Sequence, residues 1–217
     1  MDGAGEASRD CPVCARLVAF RQANRHSEPA WYNGAVPSFG QENADSARLL
    51  IVGLAPGLKG ANRTGRPFTG DFAGDLLYET LLMFGFARGR YEARPDDGLV
   101  LVDCLISNAV RCVPPENKPT PAEIANCRPF LAARIAALPR LPAIVVLGRI
   151  AHDSTLSALG ARKATFPFAH GARHAVQPGL TMFDSFHCSR YNTNTGKLTQ
   201  EMFRAVFKSV KKHLRSG

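Results

Sequence analysis

Four short apolar runs, set apart by helical patterns, constrain this chain more than any other feature. "RLLIVGLAP" (48–56) is a buried-strand run stopped by glycine and proline, and "AIVVLG" (143–148) is another. "LVLVDCLISNAVRC" (99–112) is β-rich, and "LTMFDSFH" (180–187) reads as a further strand. Between them, "DFAGDLLYETLLMFGF" (71–86) places Phe72, Leu76, Tyr78, Leu81, Leu82 and Phe84 at helical spacing. "TPAEIANCRPFLAARIAAL" (120–138) opens with Thr120, Pro121 and Glu123, the pattern of a capping box with proline at the first helical position. Pro129 inside that pattern predicts a kink or a break. "RIAHDSTLSAL" after residue 148 suits a helix, and "TQEMFRAVFKSVKKHLRS" (199–216) is amphipathic, with basic residues opposite its apolar side. Repeated strand–helix alternation predicts an α/β fold: a three-layer α/β/α sandwich around a central four-stranded parallel sheet. At 217 residues the chain fits one domain, with residues 1–10 read as frayed and 25–46 as loop.

In such sheets a ligand binds at the carboxyl ends of the strands. Three polar segments fall there, "GLAPGLKGANRTGRPFTGD" (53–71), "SNAVRC" (107–112) and "FHCSRYNTNTGK" (186–197), so they are expected to converge on one site. The net charge of +9 attracts polyanions, nucleic acid foremost. There is no run of 18 apolar residues and no signal-peptide pattern at the start, so a cytoplasmic protein with no membrane partner is expected; it is also expected to be a monomer, associated with a bacterial or archaeal nucleoid.

The glycine-rich loop after the first run is not a nucleotide cradle. "GANRTGRP" (60–67) nearly matches a P-loop, but Arg66 stands where lysine is needed and Pro67 where a hydroxyl would hold Mg²⁺. Proline also removes an N–H from any anion nest. What remains is a wide loop with Lys59, Arg63 and Arg66, an aromatic at Phe68, and carboxylates at Asp71 and Asp75. Basic groups beside an aromatic suit a flat base whose phosphates are held. Phe68 serves equally well as a core anchor for the loop, and Asp71 as a plain N-cap of the helix that follows.

Cys11 and Cys14 form a C-x-x-C pair, and Cys112 and Cys127 form a second, distant pair. In a reducing compartment two such pairs read as a four-thiolate metal site, and spacing alone admits zinc or an iron–sulfur cluster. Cys104 reads as a buried small hydrophobe, and Cys188 as an exposed thiol without a ligand role. At the end of the last strand, His187 can donate a hydrogen bond or a proton from a fixed position. Ser189, Arg190, Asn192, Thr193 and Lys197 supply donors for phosphate, and Tyr191 is an aromatic suited to wedging into a base stack.

Taken together, "GLAPGLKGANRTGRPFTGD", "SNAVRCVPPENKPTPAEIANCRPFL", "SFHCSRYNTNTGKLT" and the leading "CPVC" resemble the uracil-DNA glycosylase superfamily, specifically its fifth, B-type family. The resemblance implies hydrolysis of the N-glycosidic bond of uracil, and of other damaged bases, in DNA. It implies a structural [4Fe–4S] cluster on Cys11, Cys14, Cys112 and Cys127, with zinc the lesser choice. Gly53, Ala55, Pro56 and Gly57 would form the first active-site motif, Phe68 would stack on the flipped base and Asn108 would read the uracil edge. His187 would face the pyrimidine O2, and Asp71, helped by Asn62, would orient water. Arg63, Ser189, Arg190, Tyr191, Asn192 and Lys197 would contact DNA. The chain departs from the family pattern at Cys188 and Tyr191, where proline and glutamine are usual. The alternative from another class is a non-enzymatic DNA-binding or damage-sensing module scaffolded by cysteine-bound metal.

Overall fold

Both faces of each inner strand must be apolar if helices cover the sheet on two sides. That pattern holds in the structure, a computed structural model that describes residues 5–216. The chain runs α1 (Ala15–Ser27), β1 (Leu49–Gly53), α2 (Ala61–Thr64), α3 (Phe72–Phe84), β2 (Ala87–Arg88), β3 (Val100–Leu101) and β4 (Cys104–Asn108). It continues α4 (Pro121–Ala136), β5 (Ala143–Leu147), α5 (Arg149–Ala158), β6 (Arg173–Gln177), β7 (Leu180–Ser185), α6 (Arg190–Asn194) and α7 (Gln200–Ser216). Along β1, Leu49 and Ile51 enter a core with α3 and α7, while Leu50 and Val52 enter a second core with α4 and α5. Val145 and Ile144 of β5 divide the same way, so the predicted three layers are present.

The strand order is β4–β1–β5–β7–β6. The first four are parallel, as the alternation predicts, and β6 adds an antiparallel edge. That edge was not legible: only Val176 of "RHAVQ" is buried, so it carries no apolar run. The long run at 99–112 is broken at Asp103, whose φ is 49°, and only β4 joins the main sheet, while β3 pairs with β2.

Other local expectations divide. Thr120 and Glu123 form the capping box, with Thr120 Oγ1 accepting Glu123 N–H and Glu123 Oε2 accepting Thr120 N–H. α4 nevertheless runs unbroken through Pro129, which lies on the exposed side of the helix with Ala125. Residues 1–4 of the segment read as frayed lie outside the described residues, but the rest is tied down. Glu6 binds Arg134 at 2.7 Å and reaches Arg111 at 3.4 Å, and both arginines are buried. Helix α1, which the sequence reading passed over, buries only Leu17 and Arg21. Among the described residues no helix is long and apolar enough to cross a membrane.

Candidate active site

The parallel register sets Gly53 beside Asn108 at the carboxyl ends of β1 and β4. Two strands away, β7 ends just before His187. These ends open into a cleft of about 1010 Å³ walled by the glycine-rich loop, the start of α3 and the His187 loop. Ala55, Gly57, Phe68, Asp71, Asn108, His187, Ser189 and Arg190 all line it, so the three polar segments do meet.

Gly53 is required beneath the slot. A Cβ there would lie 2.4 Å from Asn108 Oδ1 and 2.5 Å from Phe68 Cζ. The Phe68 ring and the His187 imidazole are stacked, with centroids 6.0 Å apart and planes at 28°. Phe68 is buried in the loop yet presents to the cleft, so anchoring and lining are one arrangement. Asn108 is buried at the cleft wall, and its Oδ1, close against Gly53, has no hydrogen-bond partner. Burial lowers the His187 pKa to about 4, so the imidazole is neutral at neutral pH.

Asp71 caps α3, its Oδ1 accepting Gly74 N–H at 3.2 Å. Burial raises its pKa, the Gly74 N–H opposes that rise, and the neighbouring Asp75 adds to it. Asp75 lines the same wall, as does Lys59.

Several predicted residues stand elsewhere. Asn62 is fully buried and donates from Nδ2 to Asn33 Oδ1 at 2.9 Å, away from the cleft. Pro56 is buried behind the loop. Arg63 is exposed outside the cleft, its Nε donating to the Lys59 carbonyl. Ser189 Oγ caps α6 by accepting Asn192 N–H, and Asn192 Nδ2 donates to the His187 carbonyl at 2.8 Å, which fixes the histidine's backbone. Tyr191 is 75% exposed in the first turn of α6, and Lys197 lies over the Phe186 ring. Cys188, expected to be exposed, is fully buried, with Sγ directed at the Ala73 carbonyl. Arg66, expected on an open loop, is buried against Asp97.

The sequence reading missed Asn117, which lines the cleft from the turn before α4. Its φ of 56° and the 55° of Glu116 bend that turn inward. An Asn after "PPE" was the available signal, since asparagine tolerates the left-handed region.

Cys11, Cys14, Cys112 and Cys127 gather in one cluster with Leu17, Val110 and Ile124. Arg21 Nη1 donates to Cys112 Sγ and Asn126 Nδ2 to Cys14 Sγ, each at 3.5 Å. Burial raises the Cys112 thiol to about 12, against the lowering effect of Arg21. A separate trio, His152, His174 and Asp184, is close enough to hold an ion. Its members hydrogen-bond one another instead, with Asp184 2.7 Å from His152 and 3.1 Å from His174.

A basic α/β chain whose strand ends hold a slot between an aromatic ring, a free amide acceptor and a neutral imidazole is built to take a flat heterocycle. Comparison with known proteins makes the class specific. Residues 39–211 match the family described as the uracil DNA glycosylase superfamily. The chain is 43% identical over 208 residues to the type-5 uracil-DNA glycosylase of Thermus thermophilus, covering 93% of each. It is 36% identical to the type-5 enzyme of Pyrobaculum aerophilum over 92% of this chain and 87% of that one. It is 37% identical to that of Mycobacterium bovis over 93% and 77%. The chain belongs to the uracil DNA glycosylase superfamily, and within it stands with the type-5 enzymes.

Proposed function

We propose that this protein is a monofunctional DNA glycosylase that removes uracil from DNA, the first step of base excision repair. The observation that carries the reading is the unpartnered Asn108 Oδ1 beside Phe68 in the strand-end slot. Uracil offers an N3–H to that acceptor, whereas cytosine has a lone pair at N3 and is repelled. The base stacks on Phe68 once it leaves the helix, and a mispaired uracil is the cheaper one to extrude.

Hydrolysis breaks the C1′–N1 bond with its electron pair leaving on uracil, and forms a bond from water oxygen to C1′. Negative charge grows on the base at O2 and positive charge on the sugar. His187 supplies a neutral N–H to O2 from a desolvated position, a donor of the kind worth about 3 kcal/mol at an oxyanion. Asp71 accepts the water's hydrogen bond and takes its proton as the new bond forms, and its charge favours the cationic sugar. Asn117 and Asp75 share the cleft wall with Asp71. Lys59 and Arg190 in the cleft wall, with Arg63 and Lys197 outside it, neutralise phosphates, so affinity falls steeply with salt. Tyr191, exposed on α6, enters the space the base vacates.

The four clustered cysteines, two of them accepting N–H groups from Arg21 and Asn126, are read as the ligands of a [4Fe–4S] cluster, with zinc the lesser choice. When bound, such a cluster supplies structural crosslinking, tying the turn before α1 to the segment that carries Asn117; the hydrolysis uses none of its chemistry. The protein is read as acting as a monomer on DNA in the cytoplasm, at the nucleoid.

The test is incubation with a duplex carrying one uracil, followed by alkaline cleavage at the abasic site. Release of uracil and strand scission at that position is the expected result. Tight DNA binding without base release would leave a damage-sensing module in its place. A parallel panel with hypoxanthine, xanthine and ethenocytosine sets the substrate range.

A further inference from the structure

Phe68 sits at a φ of 54°, a region that bulky residues avoid and occupy only where their surroundings over-determine them. The surroundings are unusually explicit. Tyr78 donates its hydroxyl to the Pro67 carbonyl at 2.6 Å, and Tyr91 donates its hydroxyl to the Phe68 carbonyl at 3.3 Å. That carbonyl is pressed against the first turn of α3, where a Cβ on Gly74 would come within 1.8 Å of it. Behind the turn, Arg66 Nε donates to Thr69 Oγ1 at 2.7 Å. Its guanidinium grips Asp97 with two bonds, 2.8 and 2.7 Å, and faces the rings of Phe39, Tyr78 and Tyr91 at 5.0, 5.5 and 5.9 Å.

Asp97 does a second job. It accepts the N–H groups of Glu92 and Leu99 at 3.0 and 3.1 Å, which folds the intervening loop back and sets Ala93 in the cleft wall. One buried arginine thus fastens both the Phe68 turn and the loop that carries Tyr91. The arginine that spoils the P-loop pattern is needed here as the centre of an aromatic cage.

We propose that Tyr91, seated by the Arg66–Asp97 pair, is a positioning residue for base excision: its hydroxyl holds the Phe68 carbonyl so that the ring lies flat beside His187. The assignment rests on the uracil-excision reading. Tyr91 is not part of the cleft wall and acts only through Phe68. Its hydroxyl stays protonated, and so a donor, because burial raises it to about 12.

The test is a double-mutant cycle read by single-turnover uracil release at saturating enzyme. Tyr91→Phe keeps the ring and deletes the hydroxyl; it should slow release about tenfold, the scale of one neutral hydrogen bond. Affinity for a duplex with a stable abasic analogue should not change. In a Phe68→Ala background, or Phe68→Leu if the alanine variant does not fold, Tyr91→Phe should have no further effect. Equal losses in both backgrounds mean a general structural role and overturn the proposal, as does no loss in either. Hydrogen exchange of residues 66–72 in the free protein reads the clamp without any activity. Faster exchange in Tyr91→Phe is expected, and unchanged exchange counts against the clamp. If the wild type releases no uracil, the excision reading fails while the exchange result still decides whether Tyr91 holds Phe68.

Discussion

The Asp71 carboxylate fills the space that a side chain on Gly60 would need: a Cβ there would lie 2.4 Å from Oδ2, and one on Gly57 3.0 Å from it. Its other oxygen, Oδ1, accepts the Gly74 N–H that opens α3. One carboxylate therefore caps a helix with one oxygen and faces the glycine-rich loop of the cleft with the other. The two readings that compete in the sequence, cap and catalyst, are geometrically compatible.

Substitution separates them. Asparagine caps helices as well as aspartate does, so Asp71→Asn should melt within about 0.5 kcal/mol of the wild type. It removes the negative charge, so single-turnover release should fall by about a hundredfold, the scale of losing one preorganised electrostatic group. Asp71→Ala should add a stability loss of about 1 kcal/mol from the missing cap. Thermal melts and quench kinetics on the two variants check both halves. Wild-type excision by Asp71→Asn would reduce Asp71 to a cap.

Gly53 makes a second, steric prediction. Its φ is not in the left-handed region, so alanine meets no backbone strain there. A Cβ would instead press on Asn108 Oδ1 and on the Phe68 ring, and overpacking of this kind costs about 1–3 kcal/mol. The chain can relieve it by moving those two side chains into the slot. Gly53→Ala should stay folded by circular dichroism yet lose uracil release by at least about tenfold. An alanine variant with full activity would show that the slot has slack.

Much of this was legible in the residues. The alternation of apolar runs with helical patterns carries the parallel sheet, because inner strands buried on both faces must be apolar throughout. The strand ends then bring Asn108 and His187 together without further information. What stayed hidden depends on local backbone choices. β6 shows almost no apolar signal because it is an edge strand, and Asp103 splits a continuous β-rich run by turning left-handed. Asn117 reaches the cleft only because two successive residues adopt positive φ. Asn62 was hidden in another way: its Nδ2 donates to Asn33 in a buried amide pair that the loop's sequence does not announce.

The cysteine cluster yields a prediction with its own control. Protein purified without oxygen should be brown, with a broad absorbance near about 400 nm from thiolate-bound iron. Cys112→Ser should lose that absorbance and melt several degrees lower, since Cys112 is buried and takes an N–H from Arg21. His187→Ala should keep the colour in full. Iron and sulfide analysis beside zinc analysis checks the assignment. Colourless protein with one zinc per chain would replace the cluster with a single ion.

His187 gives the sharpest dependence on pH. Its folded pKa of about 4 lies below the ordinary histidine value near 6.5, because burial disfavours the imidazolium. The unfolded chain therefore binds a proton that the folded chain does not between about pH 6.5 and 4. Stability from this group is fully present above about pH 6.5 and is lost as pH falls through that window. The difference in melting temperature between pH 7.5 and 5.0 should thus be smaller for His187→Gln than for the wild type, and acid effects on the cluster cancel in that comparison. Catalysis follows a different rule, because the neutral imidazole is the donor throughout. Release should not rise as pH falls through 6.5, as it would if an ordinary imidazolium were the active form. The acid limb should belong to Asp71, raised above its usual value by burial, and should flatten in Asp71→Asn. His187→Ala should lower the rate by about a hundredfold at every pH while leaving affinity for uracil-containing duplex intact. A rate that climbs below pH 6.5 in the wild type and not in His187→Ala would instead make His187 a proton donor with an ordinary pKa.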